Sequence, residues 1–245
     1  ISVVPGAYDA ETAIREQLGW CTVLAVPRSL VKDPARLWCK DATIILLDCV
    51  PADGCDSARV NTVGFDQARG IASDVEHLAS MGHRNIAYFG GVRGDPVYDL
   101  REQGFRAAMS DACLPIRSEW IFHCGPEHPS ETAAAAFEQA IKLARCQLSG
   151  AVCASDEIAL GVVASLRSLR REVPDDLSVT GYGGSEPACS GGAFLTTVEH
   201  RGQTLGDALA QFVQPDPDIV RSTPARVILP AELVVRDSTA PRSGH

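Results

Sequence analysis

Polar side chains follow three short apolar runs of this sequence, at the points where predicted strands end. The residues are Asp66 after the run 60–63, Ser155 and Asp156 after 151–154, and Tyr182 after 177–181. In open parallel sheets, ligands bind outside the carboxyl ends of the strands, so we expect these side chains to line one crevice. Carboxylate and hydroxyl groups form hydrogen bonds with polar ligands, and the set therefore predicts a binding site for a small polar molecule such as a sugar.

Arg101 and His200 are expected to complete this site. The Arg101 guanidinium offers a planar fork of donors to hydroxyl or carboxylate groups, and Arg101 lies in a helix predicted to begin after Asp95. His200 follows the apolar run 195–198, where we expect a residue that lines a cleft. An alternative stays open, because each aspartate or serine of the set could serve only as a helix cap.

No group of residues in the sequence matches a catalytic or nucleotide-binding motif. The glycine-rich segments lack the G-x-G-x-x-G and G-K-S/T patterns that bind phosphate; they are 89–94, 181–185 and 190–192. His77 and His83 lie near a predicted helix end and are expected to orient the backbone through hydrogen bonds. The carboxylates show no catalytic spacing and the cysteines form no C-x-x-C pair, so we predict no enzyme, no cofactor and no metal site.

The composition is that of a globular protein without a nucleic-acid-binding surface of its own. The 245 residues include 22 Lys and Arg against 31 Asp and Glu, which gives a formal net charge of -9. Phosphate binding needs clustered positive charge, so contact with DNA is expected only through another domain. The apolar runs are too short to span a bilayer, and nine scattered cysteines, an odd number, are typical of a reducing compartment. We therefore predict a soluble cytoplasmic protein with no membrane partner.

Apolar runs alternate with segments of helical periodicity, which is typical of an α/β fold with parallel strands. The predicted strands are 1–4, 21–26, 43–48, 60–63, 85–89, 120–123, 151–154 and 177–181. The predicted helices begin after Asp66, at Pro96 and after Ser155, with two more at 129–144 and around 205–213. The acidic segment 214–218 contains two prolines and is predicted to be a surface loop.

Six motifs occur in an order that resembles the lactose-repressor (LacI/GalR) family of bacterial transcription regulators. Asp66 is followed by His77 and Leu78, and segment 82–91 reads GHRNIAYFGG, which is similar to the family signature in this region. The other motifs are REQGF at 101–105, ASDEIALG at 154–161, VPDDLSVTGY at 173–182, LTTV at 195–198 and LPAELVVRDST at 229–239. The resemblance covers nearly the whole chain.

The resemblance implies a periplasmic-binding-protein-like fold, in which two Rossmann-like lobes joined by three crossovers close on a small molecule. The N-terminal lobe is expected to comprise residues 1–90 and 197–221, and the C-terminal lobe residues 91–196 and 222–240. The family's DNA-binding headpiece and the first βα unit of the N-terminal lobe are expected to be absent, because segments 1–4 and 9–18 resemble the second βα unit. The resemblance also implies a homodimer.

The resemblance assigns effector-facing positions to several of the residues named above. Asp66 and Arg101 match family positions that face the ligand, while Ser155 stands where an asparagine is common. Gly183 stands where the family usually has an aspartate that binds hydroxyl groups, and the loss of that hydrogen bond weakens sugar binding by about 1.5–3 kcal/mol. His200 occupies another pocket position and could replace the aspartate. We therefore expect a phosphorylated, acidic or nucleoside-like effector rather than a neutral hexose.

The predicted function is allosteric control of DNA binding by a small-molecule effector. Effector binding is expected to bias lobe closure, and a DNA-binding domain senses the change through the dimer, with no bond made or broken. Two alternatives stay open. One is the sugar-binding component of a transporter, which shares the fold without a DNA-binding domain, and the other is a doubly wound enzyme that uses His200 or Asp156.

Overall fold

Eight ranges of the chain are described by the computed structural model. They are residues 23–27, 43–47, 60–125, 129–144, 148–185, 194–200, 202–213 and 225–242. The predicted strand 1–4, the helical segment 9–18 and the predicted loop 214–218 lie outside these ranges. The predictions for those three segments therefore stay predictions.

Ten β-strands and five α-helices form within the described ranges. The strands are β1 Val23–Pro27, β2 Thr43–Leu47, β3 Asn61–Phe65, β4 Ile86–Gly90, β5 Ile121–His123, β6 Gly150–Cys153, β7 Ser178–Gly183, β8 Thr196–Glu199, β9 Arg226–Leu229 and β10 Glu232–Val234. The helices are α1 Gln67–Ser80, α2 Pro96–Asp111, α3 Pro129–Ala144, α4 Asp156–Ser168 and α5 Gly202–Val213. The α/β fold class is thereby confirmed. None of these helices is long and apolar enough to cross a membrane.

The first compact unit comprises residues 1–66 and 201–230 and contains a four-stranded sheet. The strand order is β1-β2-β3-β9, and every neighbouring pair is parallel. Helix α5 carries apolar residues at helical spacing, so that one stripe of the helix packs on the sheet. The core of the unit is formed by Ile45, Val63, Phe65, Ala208, Phe212 and Leu229.

The second compact unit comprises residues 67–200 and 231–245 and contains a six-stranded sheet. The strand order is β10-β8-β7-β6-β4-β5, and all neighbouring pairs are parallel except β10 with β8. Every residue of β4 and β6 is buried, which is typical of parallel strands covered on both faces. Helix α1 packs against α2, and α3 packs against α4.

Glycines allow both helix pairs of the second unit to approach closely. A Cβ atom at Gly104 of α2 would overlap the backbone of Ala68 in α1, and one at Gly161 of α4 would overlap the backbone of Ser130 in α3. Two residues without side chains therefore determine how closely these helices pack.

Side-chain caps determine where α2 and α4 begin. The Asp95 carboxylate accepts hydrogen bonds from the backbone N–H groups of Val97 and Tyr98, at 2.9 and 3.3 Å, and Pro96 occupies the first helical position. The Ser155 hydroxyl accepts a hydrogen bond from the backbone N–H of Ile158 at 3.3 Å. These caps bring Arg101 and the N-terminus of α4 to defined positions.

The observed units correct the predicted lobe boundaries. The chain leaves the first unit after Asp66 rather than near residue 90, because β4 pairs with β5 and β6 of the six-stranded sheet. Residues 197–200 belong to the second unit because β8 pairs with β7. Residues 222–230 belong to the first unit because β9 pairs with β3. Strand pairing over long sequence separations decides these boundaries, and local periodicity does not encode it.

Candidate functional site

Most of the predicted site residues lie at the carboxyl end of the six-stranded sheet. Ser155 and Asp156 follow β6, Tyr182 and Gly183 end β7, and His200 follows β8. These strands are parallel neighbours, so their carboxyl ends meet at one edge of the sheet. The second unit therefore brings the predicted residues that follow or end β6, β7 and β8 to one edge of its sheet.

Arg101 is the charged centre of this group, and only 8% of its surface is exposed. Its Nε donates a hydrogen bond to Oε1 of Gln67 at 2.8 Å, and its Nη1 donates to the carbonyl oxygen of Ala154 at 2.5 Å. Among the residues that the structure describes, no carboxylate pairs with Arg101 and no acceptor binds its Nη2. A buried charge needs such a partner, so the guanidinium is suited to bind an anionic or hydroxyl group of a ligand.

Two aromatic rings hold the Arg101 guanidinium in place. Its Cζ lies 3.8 Å from the centroid of the Tyr182 ring and 5.5 Å from that of Tyr98, within the range of cation–π attraction. Tyr182 in turn packs against Gly70 of α1, where a Cβ would lie only 2.7 Å from the ring atom Cε2. The position of the guanidinium thus depends on a residue without a side chain at position 70.

His200 adds a neutral polar group beside Arg101. Its ring packs edge-on against Tyr182, with centroids 5.1 Å apart and an interplanar angle of 80°. Burial, with a smaller contribution from the Arg101 charge, lowers the pKa of His200 to about 4. The imidazole is therefore uncharged near pH 7. It has one donor and one acceptor nitrogen and adds no second positive charge.

We term five neighbouring residues of the second unit the Arg101 cluster: Gln67, Tyr98, Arg101, Tyr182 and His200. Gln67 and Tyr98 were not among the residues predicted from the sequence. Tyr98 precedes Arg101 by three residues in α2, a spacing that places both on one helix face and that could have identified it. Gln67 is a neutral residue at the start of α1, and no local pattern marks it as a partner of Arg101.

Asp156 forms its hydrogen bonds within the protein. Its Oδ1 accepts from the Thr197 hydroxyl at 2.5 Å, its Oδ2 accepts from the Ser185 backbone N–H at 2.5 Å, and the residue is 2% exposed. These bonds tie the start of α4 to β8 and to the segment after β7. Asp156 therefore positions the elements around the Arg101 cluster, and a direct ligand contact stays a prediction.

Ser155 and Gly183 have structural roles that their local geometry shows. Ser155 caps α4, which is the alternative that the sequence left open. Gly183 has a φ of 126°, a conformation that residues with side chains rarely adopt. An aspartate at position 183 would be strained in this backbone conformation. The glycine that stands here instead of the family's aspartate therefore fits the local backbone.

Asp66 lies in the other compact unit. It is exposed, it is the last residue of that unit before α1, and its backbone N–H donates to the Leu229 carbonyl at 3.0 Å. Its predicted contact with a ligand rests on its position after a predicted strand and on the family resemblance, and it stays a prediction.

The histidines near the end of α1 are structural. His83 Nε2 lies 3.0 Å from the Ala240 carbonyl oxygen, which confirms the expected backbone contact. His77 Nε2 instead lies 2.9 Å from the Thr239 hydroxyl, so its partner is a side chain. Both contacts anchor the C-terminal segment of the described chain, and burial lowers the pKa of each imidazole.

Asp74 is a buried acid that the sequence analysis did not identify. It lies in α1 and is fully buried, and neither carboxylate oxygen has a hydrogen bond of good geometry among the described residues. Burial raises the pKa of Asp74 well above its usual value, the nearby Asp156 raises it further, and the Thr180 hydroxyl only partly opposes the shift. Asp74 therefore keeps its proton at pH values where exposed aspartates are charged.

A family model, the periplasmic binding protein-like domain, matches residues 75–239 of this chain. The HTH-type transcriptional repressor PurR of Glaesserella parasuis is 32% identical over 203 residues, covering 80% of this chain and 57% of that protein. The lactose operon repressor of Klebsiella pneumoniae is 30% identical over 200 residues, covering 79% of this chain and 53% of that protein. The chain thus spans about half the length of these curated relatives. Both are named as repressors, in agreement with the prediction that this chain is not an enzyme.

Solved structures share the fold. The structure of a LacI family transcriptional regulator from Enterococcus faecium with bound ribose has a TM-score of 0.75 and 21% sequence identity, covering 99% of this chain and 88% of that one. The predicted fold and family are confirmed. The chain belongs to the periplasmic-binding-protein-like domain family, in the form that serves as the effector-binding domain of LacI-type transcriptional regulators.

Proposed function

We propose that this chain binds a small phosphorylated or acidic sugar-like metabolite at the Arg101 cluster. The observation that carries the proposal is the buried guanidinium of Arg101, which has no carboxylate partner among the described residues. An anionic ligand would supply the missing negative charge, and hydrogen bonds to charged groups contribute about 1.5–3 kcal/mol each. The neutral His200 and the absence of a carboxylate at Gly183 also favour an anionic over a neutral ligand.

We further propose that effector binding controls operator DNA binding by a homodimeric regulator in the cytoplasm. The repressors similar to this chain, and the ribose bound to a structure of the same fold, support this role. The effector acts by binding one conformation of the protein more tightly than another, and a DNA-binding domain of the regulator responds to the shift.

Calorimetric titration of the chain tests the choice of ligand. The panel contains ribose and glucose as neutral sugars and ribose 5-phosphate and glucose 6-phosphate as their charged counterparts. We expect a phosphorylated sugar to bind at least about tenfold more tightly than its neutral counterpart, and this preference to be lost in Arg101→Ala. Tight binding of a neutral hexose that Arg101→Ala abolishes would contradict the proposed ligand class.

Arg101→Lys is the matched variant, because it keeps the charge but removes the planar fork of donors. It is expected to retain part of the preference for phosphorylated sugars and to lose affinity for both sugar classes. An Arg101→Lys variant indistinguishable from Arg101→Ala would show that geometry rather than charge makes the site selective.

A further inference from the structure

A cavity of about 410 Å³ lies at the C-terminal end of α4. We term it the arginine cavity. It is lined by Arg167, Arg170, Arg171, Glu172, Val173 and Phe194. Helix α4 has 13 residues and is therefore about 20 Å long. The Arg101 cluster lies at its other end, because Arg101 binds the carbonyl oxygen of Ala154, so the two sites are separate.

The arginine side chains are not required to end the helix. The Arg171 backbone N–H donates to the Leu166 carbonyl at 2.9 Å, and the Arg170 N–H donates to the Arg167 carbonyl at 3.0 Å. These are the two hydrogen bonds of a Schellman motif, in which the backbone itself satisfies the last carbonyls of a helix. Among the described residues, the guanidinium groups of Arg167 and Arg170 are therefore left for other partners.

Arg170 has a backbone conformation that glycine adopts with the least strain. Its φ is 55°, in the left-handed region that side chains disfavour and that commonly ends a Schellman motif. The backbone conformation therefore does not explain an arginine at this position. Residues held in such a conformation often occur at binding sites.

The charge balance of the cavity favours an anion. Three arginines and one glutamate line the cavity, and the Asp176 carboxylate lies beside this lining, where it accepts a hydrogen bond from the Glu172 backbone N–H at 2.8 Å. Three positive charges against two negative ones still leave an excess of positive charge, in a chain whose formal net charge is -9. In the part of the chain that the structure describes, the side chains of Arg167 and Arg170 have no hydrogen-bond or ion-pair partner, and Glu172 does not pair with them. Guanidinium groups bind phosphate and carboxylate groups through paired hydrogen bonds.

We propose that the arginine cavity binds a small polyanion with at least two negative charges, either an organic phosphate or a polycarboxylate. Arg167 and Arg170 contact the anionic groups. Phe194 and Val173, both half-buried in the wall of the cavity, pack against an apolar part of the ligand. This site is additional to the Arg101 cluster and does not depend on the function proposed for it.

Calorimetric titration with pyrophosphate and with citrate, in a phosphate-free buffer, tests this proposal. We expect saturable binding of at least one of the two anions, with one site per chain, and the tighter anion distinguishes phosphate from polycarboxylate chemistry. Arg170→Gly is expected to weaken that binding by about tenfold or more while keeping the fold, because glycine suits the backbone conformation. Arg167→Gln is expected to act in the same direction.

Two control variants distinguish binding at the arginine cavity from a general effect of the chain's charge and from binding at the Arg101 cluster. Arg117→Gln removes an exposed arginine outside the cavity and is not expected to change binding of the polyanion. Arg101→Ala alters the other site, so the binding that remains in this variant reports on the arginine cavity alone. Failure of both anions to bind at millimolar concentration, or equal affinity in Arg170→Gly and the unmodified chain, would overturn the proposal. Loss of binding in Arg101→Ala with no change in Arg170→Gly would also overturn it and would assign the anion to the Arg101 cluster.

Discussion

Two buried ionisable residues of the second unit, Arg101 and Asp74, have different surroundings. Gln67, the Ala154 carbonyl and two aromatic rings surround the Arg101 guanidinium. Among the described residues Asp74 has no comparable partners, and burial raises its pKa well above the usual value. Burial therefore makes the contribution of Asp74 to stability dependent on pH, whereas Arg101 is the residue that the proposed function assigns to a ligand.

Replacing Asp74 with asparagine is expected to stabilise the protein at neutral and alkaline pH. Burial raises the folded-state pKa of Asp74 well above the ordinary value of 3.8, so the favourable contribution of the protonated acid is complete below pH 3.8 and is lost as the pH rises through the folded pKa. Asparagine resembles the protonated acid and does not ionise. Urea unfolding between about pH 5 and about pH 8 should show a free energy of unfolding that falls less steeply for Asp74→Asn.

The exposed Asp175 provides the matched control for this experiment. Asp175→Asn removes the same chemical group from the surface and is expected to leave the pH dependence unchanged. A pH dependence equally steep in Asp74→Asn and the unmodified chain would show that Asp74 is charged or solvated in the folded protein.

His200 gives the opposite pH dependence on the acid side. Burial lowers its pKa from the ordinary value of 6.5 to about 4 in the folded protein, so its contribution to stability is complete above about pH 6.5 and is lost as the pH falls toward 4. His200→Asn cannot take up this proton, and its melting temperature is expected to fall less between pH 7 and pH 4.5. An unchanged fall in melting temperature would show that the folded protein accommodates the imidazolium.

At the scale of elements, glycines determine how the helices of the second unit pack. A side chain at Gly104 would overlap the backbone of Ala68, and backbone atoms cannot move aside as a flexible side chain can. The distance between α1 and α2 also places Gln67 of one helix beside Arg101 of the other. Close helix packing is thus part of how the Arg101 cluster is built.

Gly104→Ala is therefore expected to destabilise the protein by about 1–3 kcal/mol, the usual effect of overpacking. Gly206 of α5 is the control, because it is exposed and has no atom within 4 Å of a new Cβ. Gly206→Ala is expected to stabilise by about 0.5–1 kcal/mol through the higher helix propensity of alanine. Denaturant unfolding of both variants measures these effects, and a neutral Gly104→Ala would contradict the close packing.

At the scale of the whole molecule, two sheets with separate cores divide the chain into two units. The Arg101 cluster belongs entirely to the unit with the six-stranded sheet. A ligand bound there must therefore stabilise this unit directly. Under the proposed function, the effector adds stability by mass action, about 2.7 kcal/mol at 100 times its Kd.

Hydrogen exchange with and without the bound effector tests this distribution of stability. Slower exchange is expected in α1, α2, α4 and the ends of β6 and β7, which carry or contact the Arg101 cluster. Arg101→Ala should remove this protection at the same effector concentration. Protection that appears only in β1, β2, β3 and α5 would place the ligand elsewhere.

The elements of the fold were largely predictable because their signals are local. The predicted helix 129–144 coincides with Pro129–Ala144, and the predicted strand 85–89 lies one residue from Ile86–Gly90. Apolar runs and helical spacing concern neighbours in the chain, so a single sequence contains them. The cap at Ser155 and the glycine-rich end of β7 were equally visible.

The sequence by itself determined the α/β class, the order of its elements and the family, because these depend on short motifs and periodic patterns. Only the tertiary structure decided which sheet β4 joins, that Asp156 binds Thr197 and Ser185, and that Gln67 and Tyr98 accompany Arg101. Asp156 is separated from these two partners by 41 and 29 residues, and Gln67 from Arg101 by 34. Such pairs meet only when the strands have been ordered in the sheet and the helices packed on it, which is a property of the folded chain as a whole.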